Sequence, residues 1–252
     1  MRLSLYLIVL AEPPFPLLIT ITLLGWVAML VQGHHFGISA HFIASKGNGY
    51  SPLNFHSLTL MGWYWLIMLV AMMSPLLAEP IRHLWVRSLA RRRLSAVILF
   101  LIGYVSIWML AGMVLILAAL LLQLITDDKW LVASGLTLVL VVLWQSSPWK
   151  QVCLNQCHWT PRLSVFGLAA VRDCLHYGIV KGFWCIGACW ALMLLPLTSI
   201  HAHLALMATI SSIILFERYR LPRPARWHIP LWAKALEKLS QLSTQHGIKE
   251  QI

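Results

Sequence analysis

The chain has 252 residues, of which 60% are hydrophobic and only 11% charged, with a mean hydropathy of +0.77. A soluble domain carries charge on about a quarter of its residues, so this composition excludes an ordinary water-exposed globule. The formal charge of +11 does not indicate nucleic acid, because the basic residues sit in short loops beside apolar runs, where membrane topology accounts for them. Thirteen tryptophans fit the headgroup level of a bilayer, where the ring and its N–H find different surroundings.

In chain order, Leu3–Ala11 is apolar but too short to cross a membrane. No small-x-small cleavage site follows it, which argues against a cleaved signal peptide. Six apolar segments then follow, at Pro16–Val31, Leu58–Leu77, Leu94–Leu122, Trp130–Trp144, Val180–Leu197 and His201–Phe216. They predict an all-α, polytopic transmembrane helical bundle of about six spans over residues 1–220. Residues 221–252 form a polar tail, in which Leu231, Trp232, Ala235, Leu236, Leu239 and Leu242 recur at helical spacing. This pattern predicts an amphipathic helix lying on the inner leaflet.

Loop charge gives the direction. The second loop holds Arg82, Arg87, Arg91, Arg92 and Arg93, and the fourth Lys150, Arg162, Arg172 and Lys181. The tail opens with Arg218, Arg220, Arg223 and Arg226, whereas the first loop has only Lys46 and the third Asp127, Asp128 and Lys129. Alternate loops are basic, so both termini are expected on the cytoplasmic side of a bacterial inner membrane.

That topology places none of the five cysteines in an external loop, so a framework of structural disulfides is not expected. Cys185 and Cys189 are four apart in the fifth segment, with Met193 one turn further on. Helical β-carbons at that spacing are about 5–6 Å apart, wider than the roughly 3.5–4.5 Å a disulfide spans. Two sulfurs can nevertheless converge on one ion, each at about 2.3 Å. Buried cysteines that only pack helices are the plainer alternative. Cys153 and Cys157 repeat the spacing at the inner surface, without the closer pairs of a zinc finger.

The second segment carries Met61, Met68, Met72 and Met73, of which Met68 and Met72 share a face. Counted from the inner span ends, Met72 and Cys185 lie at one depth and Met68 and Cys189 at another, about 7 and 13 Å in. If the second and fifth segments touch, thioethers and thiolates are level, and such soft ligands select Cu(I) over hard ions. Methionine is also an ordinary filler of apolar helices. His34, His35, His41, His56, His201 and His203 fall near the outer face without the spacing of a metal site. Glu79, Lys181 and Glu217 at inner span ends read as snorkelling or ion-paired.

Several of these segments together resemble a family of predicted metal-binding integral membrane proteins of unestablished function (domain of unknown function 2182). Trp65, Met68, Ala71, Met72, Met73 and Pro75 match its W-x-x-M-x-x-A-M-M-x-P box. Gly103, Tyr104 and Trp108 match its third-span pattern, and Gln145, Pro148, Lys150, Cys153, Leu154 and Cys157 its Q-x-x-P-x-K-x-x-C-L-x-x-C segment. Cys185, Gly187, Cys189, Trp190, Leu192 and Met193 follow its C-x-G-C-C-W-x-L-M box, and Glu217 comes in the expected place. The chain has Ala188 where that box has cysteine, so either the site has one thiolate fewer or that cysteine is not a ligand. The resemblance, over about residues 60–220, implies metal binding.

The expected function is therefore soft-metal binding, with Cu(I) as the ion and transport, storage or delivery to a partner protein or membrane enzyme as the task. The metal ligands expected are Met68, Met72, Met73, Cys153, Cys157, Cys185, Cys189 and Met193. Two other classes stay open, a membrane thiol–disulfide or quinone-linked oxidoreductase using the same cysteines and a non-catalytic scaffold. Thiol trapping separates the first from metal binding, and replacement of all five cysteines tests the second.

Overall fold

Proline sets the breaks in this chain. The computed structural model describes residues 15–32, 55–126, 130–164, 166–199, 203–220, 222 and 224–227, with backbone alone at 55–58 and 130. Helix α1 spans Phe15–Gln32 and α2 spans Phe55–Met73. Pro75 then tightens the chain into a 3₁₀ turn, Ser74–Leu77, before α3, Ala78–Arg87, resumes. A second short turn leads into α4, Arg93–Ile125, which is followed by α5, Trp130–Ser146.

Ser147 and Pro148 make the next break. The Ser147 hydroxyl accepts from Lys150 N at 3.3 Å, and Pro148 takes the first helical turn, where its missing N–H costs nothing. The resulting helix α6, Pro148–Gln156, turns 66° away from α5. Helices α7, Gly167–Thr198, and α8, His203–Arg218, complete the described fold.

Every described element is helical, and each of the six apolar segments expected from the sequence overlaps a helix. Among the described residues, three stretches are long and apolar enough to cross a membrane, Thr59–Arg87, Ala90–Ile125 and Gly167–Thr198, or four if the bent α5–α6 pair is one span. The count of six is thus not reached on length: α1 is a shorter apolar helix, and α8 spans only 16 residues. Outward faces carry bare apolar side chains, among them Leu24, Val114 and Leu143, each more than half exposed. A contiguous apolar exterior of this kind suits a lipid or protein surround. Hydroxyls on these helices bond back to the preceding turn, as Ser106 does to Ile102 O, Thr137 to Ala133 O and Ser212 to Ala208 O. Each of these hydroxyls is satisfied inside its own helix, as an apolar surround favours.

The centre of the fold is the α4–α7 pair. A side chain at Gly178 would collide with Phe100 O, and one at Gly103 with Leu175 O, so the glycines let the two backbones meet. Helix α7 also packs on α5, α6 and α8, while α2 packs chiefly on α1 and α4. Trp65 of α2 donates to Trp108 O of α4 at 3.0 Å and lies over Gly112. The segment Leu3–Ala11, the loop with His34, His35 and His41, and the tail helix over 231–242 lie outside the described residues.

Candidate metal centre

The four-residue spacing on α7 holds as read: Cys185 and Cys189 follow one another by one turn, with Lys181 a turn before and Met193 a turn after. Cys185 is partly buried and Cys189 fully so. The Cys189 thiol donates to Cys185 O at 2.9 Å. On the other side, Tyr104 of α4 donates its hydroxyl to Cys185 Sγ at 3.3 Å.

Helix α6 brings the second cysteine pair to the same place. Its 66° bend lays it against α7, where Trp144 Nε1, just before the bend, donates to Gly187 O at 3.1 Å. Gly187 has no side chain because Cys153 Sγ occupies that space; a β-carbon there would come within 2.6 Å of the sulfur. Cys157 caps α6, and Lys181 Nζ donates to Cys157 O at 2.5 Å, pinning the end of α6 to α7.

These contacts border a small, partly open cavity of about 30 Å³, large enough for a water or an ion. Cys157, Cys185 and Cys189 line it, with Ala188 and Lys181 from α7 and Tyr104 from α4. Leu76 closes it from the turn after α2, and Ile214, Glu217 and Arg218 from α8. The cavity lies at the arginine-rich end of the helices. The carboxylate in its wall and the one beside it are already engaged: Glu217 pairs with Lys150 at 2.5 Å, and Glu79 with the lining Arg218 at 3.5 Å. Next to it, in the segment joining α6 to α7, burial and the nearby Arg218 charge hold the His158 imidazole below its ordinary range.

Of the residues expected to bind metal, the structure thus gathers Cys157, Cys185 and Cys189 around one space and sets Cys153 just behind them. Met68, Met72, Met73 and Met193 are buried in the apolar core. None of them lines the cavity, to which the segment of Met68, Met72 and Met73 contributes Leu76. Among the described residues no three His, Cys, Asp or Glu side chains stand close enough to form a ready-made coordination sphere. His203 is engaged with Pro196 O at 3.1 Å. All five cysteines are free thiols, and Cys174 faces a different cavity, beside Ser88 and Arg92. Sequence reading passed over Tyr104 as a sulfur partner and gave Lys181 and Glu217 only a membrane-edge role. For Lys181 the register, one turn before Cys185, was the available signal.

Fold and site together define a class: an all-helical protein with long apolar helices and a thiol-lined cavity where a bent helix meets its longest-packed neighbour. The chain belongs to the PpoB2 copper-chaperone family, whose sequence profile matches residues 62–233. That match includes every cysteine and the second segment's Met68, Met72 and Met73. No curated protein and no solved structure matches the chain.

Proposed function

We propose that this protein is a membrane-embedded copper chaperone that receives Cu(I) at the Cys157–Cys185–Cys189 cavity and passes it to an acceptor protein. The single observation that carries this reading is the convergence of cysteines from two separate segments, α6 and α7, on one ion-sized space. Thiolates are soft donors that favour Cu(I), and Cu(I) tolerates few ligands, which suits a site without a full preformed sphere. A chaperone also has to release its cargo, so an incomplete ligand set fits delivery better than permanent storage. Copper is cargo here, and neither turnover nor a resident cofactor is part of the reading.

Cys153, packed between α6 and α7 beside Gly187, is the entry or exit thiol, and Met193, one turn beyond Cys189, extends the line of sulfurs along α7. Met68, Met72 and Met73 line the neighbouring core as further soft donors. The apolar exterior and long helices support residence in a membrane, and the cluster of arginines at the cavity end supports a cytoplasmic mouth with both termini on that side. Competition titration of the detergent-purified protein with a chromogenic Cu(I) chelator tests the site. One tightly held Cu(I) per chain, lost in Cys185→Ser/Cys189→Ser and weakened in Cys157→Ser, is expected. Binding unchanged in the double variant refutes it.

A further inference from the structure

Lys181 is a buried cation with no carboxylate partner among the described residues. It is only 4% exposed, and its Nζ meets Cys157 O at 2.5 Å and the face of Tyr177 at 5.5 Å from the ring centroid. Both partners stabilise positive charge, yet neither neutralises it. The nearest acidic groups are committed elsewhere, Glu217 to Lys150 and Glu79 to Arg218. Among the described residues none forms an ion pair with Lys181. Arg218 adds to the imbalance. It lines the same cavity, and its Nη1 is buried with no hydrogen-bond partner, while its Nη2 shares the half-exposed Glu79. Positive charge held in an apolar interior without an anion is costly and marks a place where an anion arrives.

The anion that fits is made in the cavity itself. When Cys185 and Cys189 bind Cu(I), each loses its thiol proton to solvent and forms one sulfur–copper bond, with no electron transferred. Two thiolates around a monovalent ion carry one net negative charge. Lys181 lies one turn before Cys185 on α7 and lines the same cavity as the three cysteines. We propose that Lys181, reinforced by Arg218, is the counter-charge for an anionic Cu(I)–thiolate complex, and that this charge biases the site toward a monovalent soft ion. The bias does not depend on whether Cys157 also binds. For any number of thiolates the Cu(I) complex is one unit more negative than that of a divalent ion, so it gains more from the same cations. This inference rests on the copper reading of the cavity.

The test compares Cu(I) and Zn(II) affinities of the full chain with those of Lys181→Met, Lys181→Arg and Arg218→Gln, each confirmed as folded by gel filtration. Lys181→Met is expected to weaken Cu(I) by about 10–100-fold, the usual range for a group supporting metal ligands, and Zn(II) by clearly less. Lys181→Arg restores most of the Cu(I) affinity, and Arg218→Gln, on a separate helix, lowers it by a smaller factor. Wild-type protein that holds no Cu(I) overturns the site and this role together. Wild-type binding matched by Lys181→Met, or equal losses for both metals, or no rescue by arginine, overturns the counter-charge alone. Should Lys181→Met fail to fold, the Cu(I)-to-Zn(II) ratio in Arg218→Gln decides, an unchanged ratio refuting the proposal.

Discussion

Tyr104 Oη donates to Cys185 Sγ across 3.3 Å, tying α4 to α7 at the wall of the thiol cavity. The tyrosine ring is held by its own neighbours, with Phe100 stacked at 6.0 Å between centroids and Trp108 at 6.5 Å. Removing the hydroxyl alone therefore leaves the ring in place. Tyr104→Phe is expected to keep the fold and weaken Cu(I) binding by about tenfold, the low end for a group that orients a metal ligand. Chelator competition on the purified variant measures it, and unchanged affinity assigns the hydroxyl to packing.

Ala188 offers the reverse experiment. It lines the cavity between Cys185 and Cys189 and is 8% exposed. Ala188→Cys places another sulfur on that wall with little added volume. X-ray absorption at the copper edge should show a higher sulfur coordination number than in wild type, together with slower release to an acceptor chelator. An unchanged copper environment means that position 188 does not reach the ion.

Gly187 seats α6 against α7 through Cys153. A methyl group there meets Cys153 Sγ at 2.6 Å, and overpacking of this kind costs about 1–3 kcal/mol. Gly187→Ala is expected to lower thermal stability and to speed maleimide labelling of Cys153, because α6 must shift outward. The double variant Gly187→Ala/Cys153→Ala removes the clash and should recover stability.

Lys150 and Glu217 join α6 to α8 through a largely buried ion pair at 2.5 Å. Breaking such a pair from one side leaves a buried charge and costs about 3–5 kcal/mol. Glu217→Gln should therefore destabilise the protein strongly, whereas Lys150→Met/Glu217→Met should lie near wild type. Thermal unfolding in detergent distinguishes them. Equal stability of Glu217→Gln and wild type would show that the pair contributes nothing to holding α6 over the cavity.

The thiol-redox alternative makes a contrary prediction. Cys185 and Cys189 sit on an unbroken stretch of α7, where one-turn spacing holds β-carbons too far apart for a disulfide. Mass-tag trapping from cells should find both reduced under mild oxidation. A trapped Cys185–Cys189 disulfide that turns over with growth conditions would favour an oxidoreductase.

The helical fold was legible because apolar runs about a membrane thick leave few other structures open. Helix ends were less so. Helix α7 begins at Gly167, well before the apolar run at Val180, because Arg172 and Asp173 interrupt hydropathy without interrupting the helix; Asp173 accepts instead from Ser164 N at 2.9 Å. The Cys185–Cys189 pair was legible from spacing alone. That Cys157 joins it was not, since this depends on the bend at Pro148 and on the Lys181 ammonium reaching Cys157 O. The methionine row shows the same limit. Depth along a helix can be counted from the sequence, but the neighbour it faces cannot. Here Gly103 and Gly178 bring α4, rather than α2, into closest packing with α7.

The most direct test of the central claim is the copper content of the detergent-purified protein, measured by elemental analysis beside Cys185→Ser/Cys189→Ser after growth in copper and purification under reducing conditions. Close to one copper per native chain and almost none in the variant is the predicted result. Native protein that emerges free of copper, or a variant that retains it, would contradict a Cu(I) site at the α6–α7 cavity.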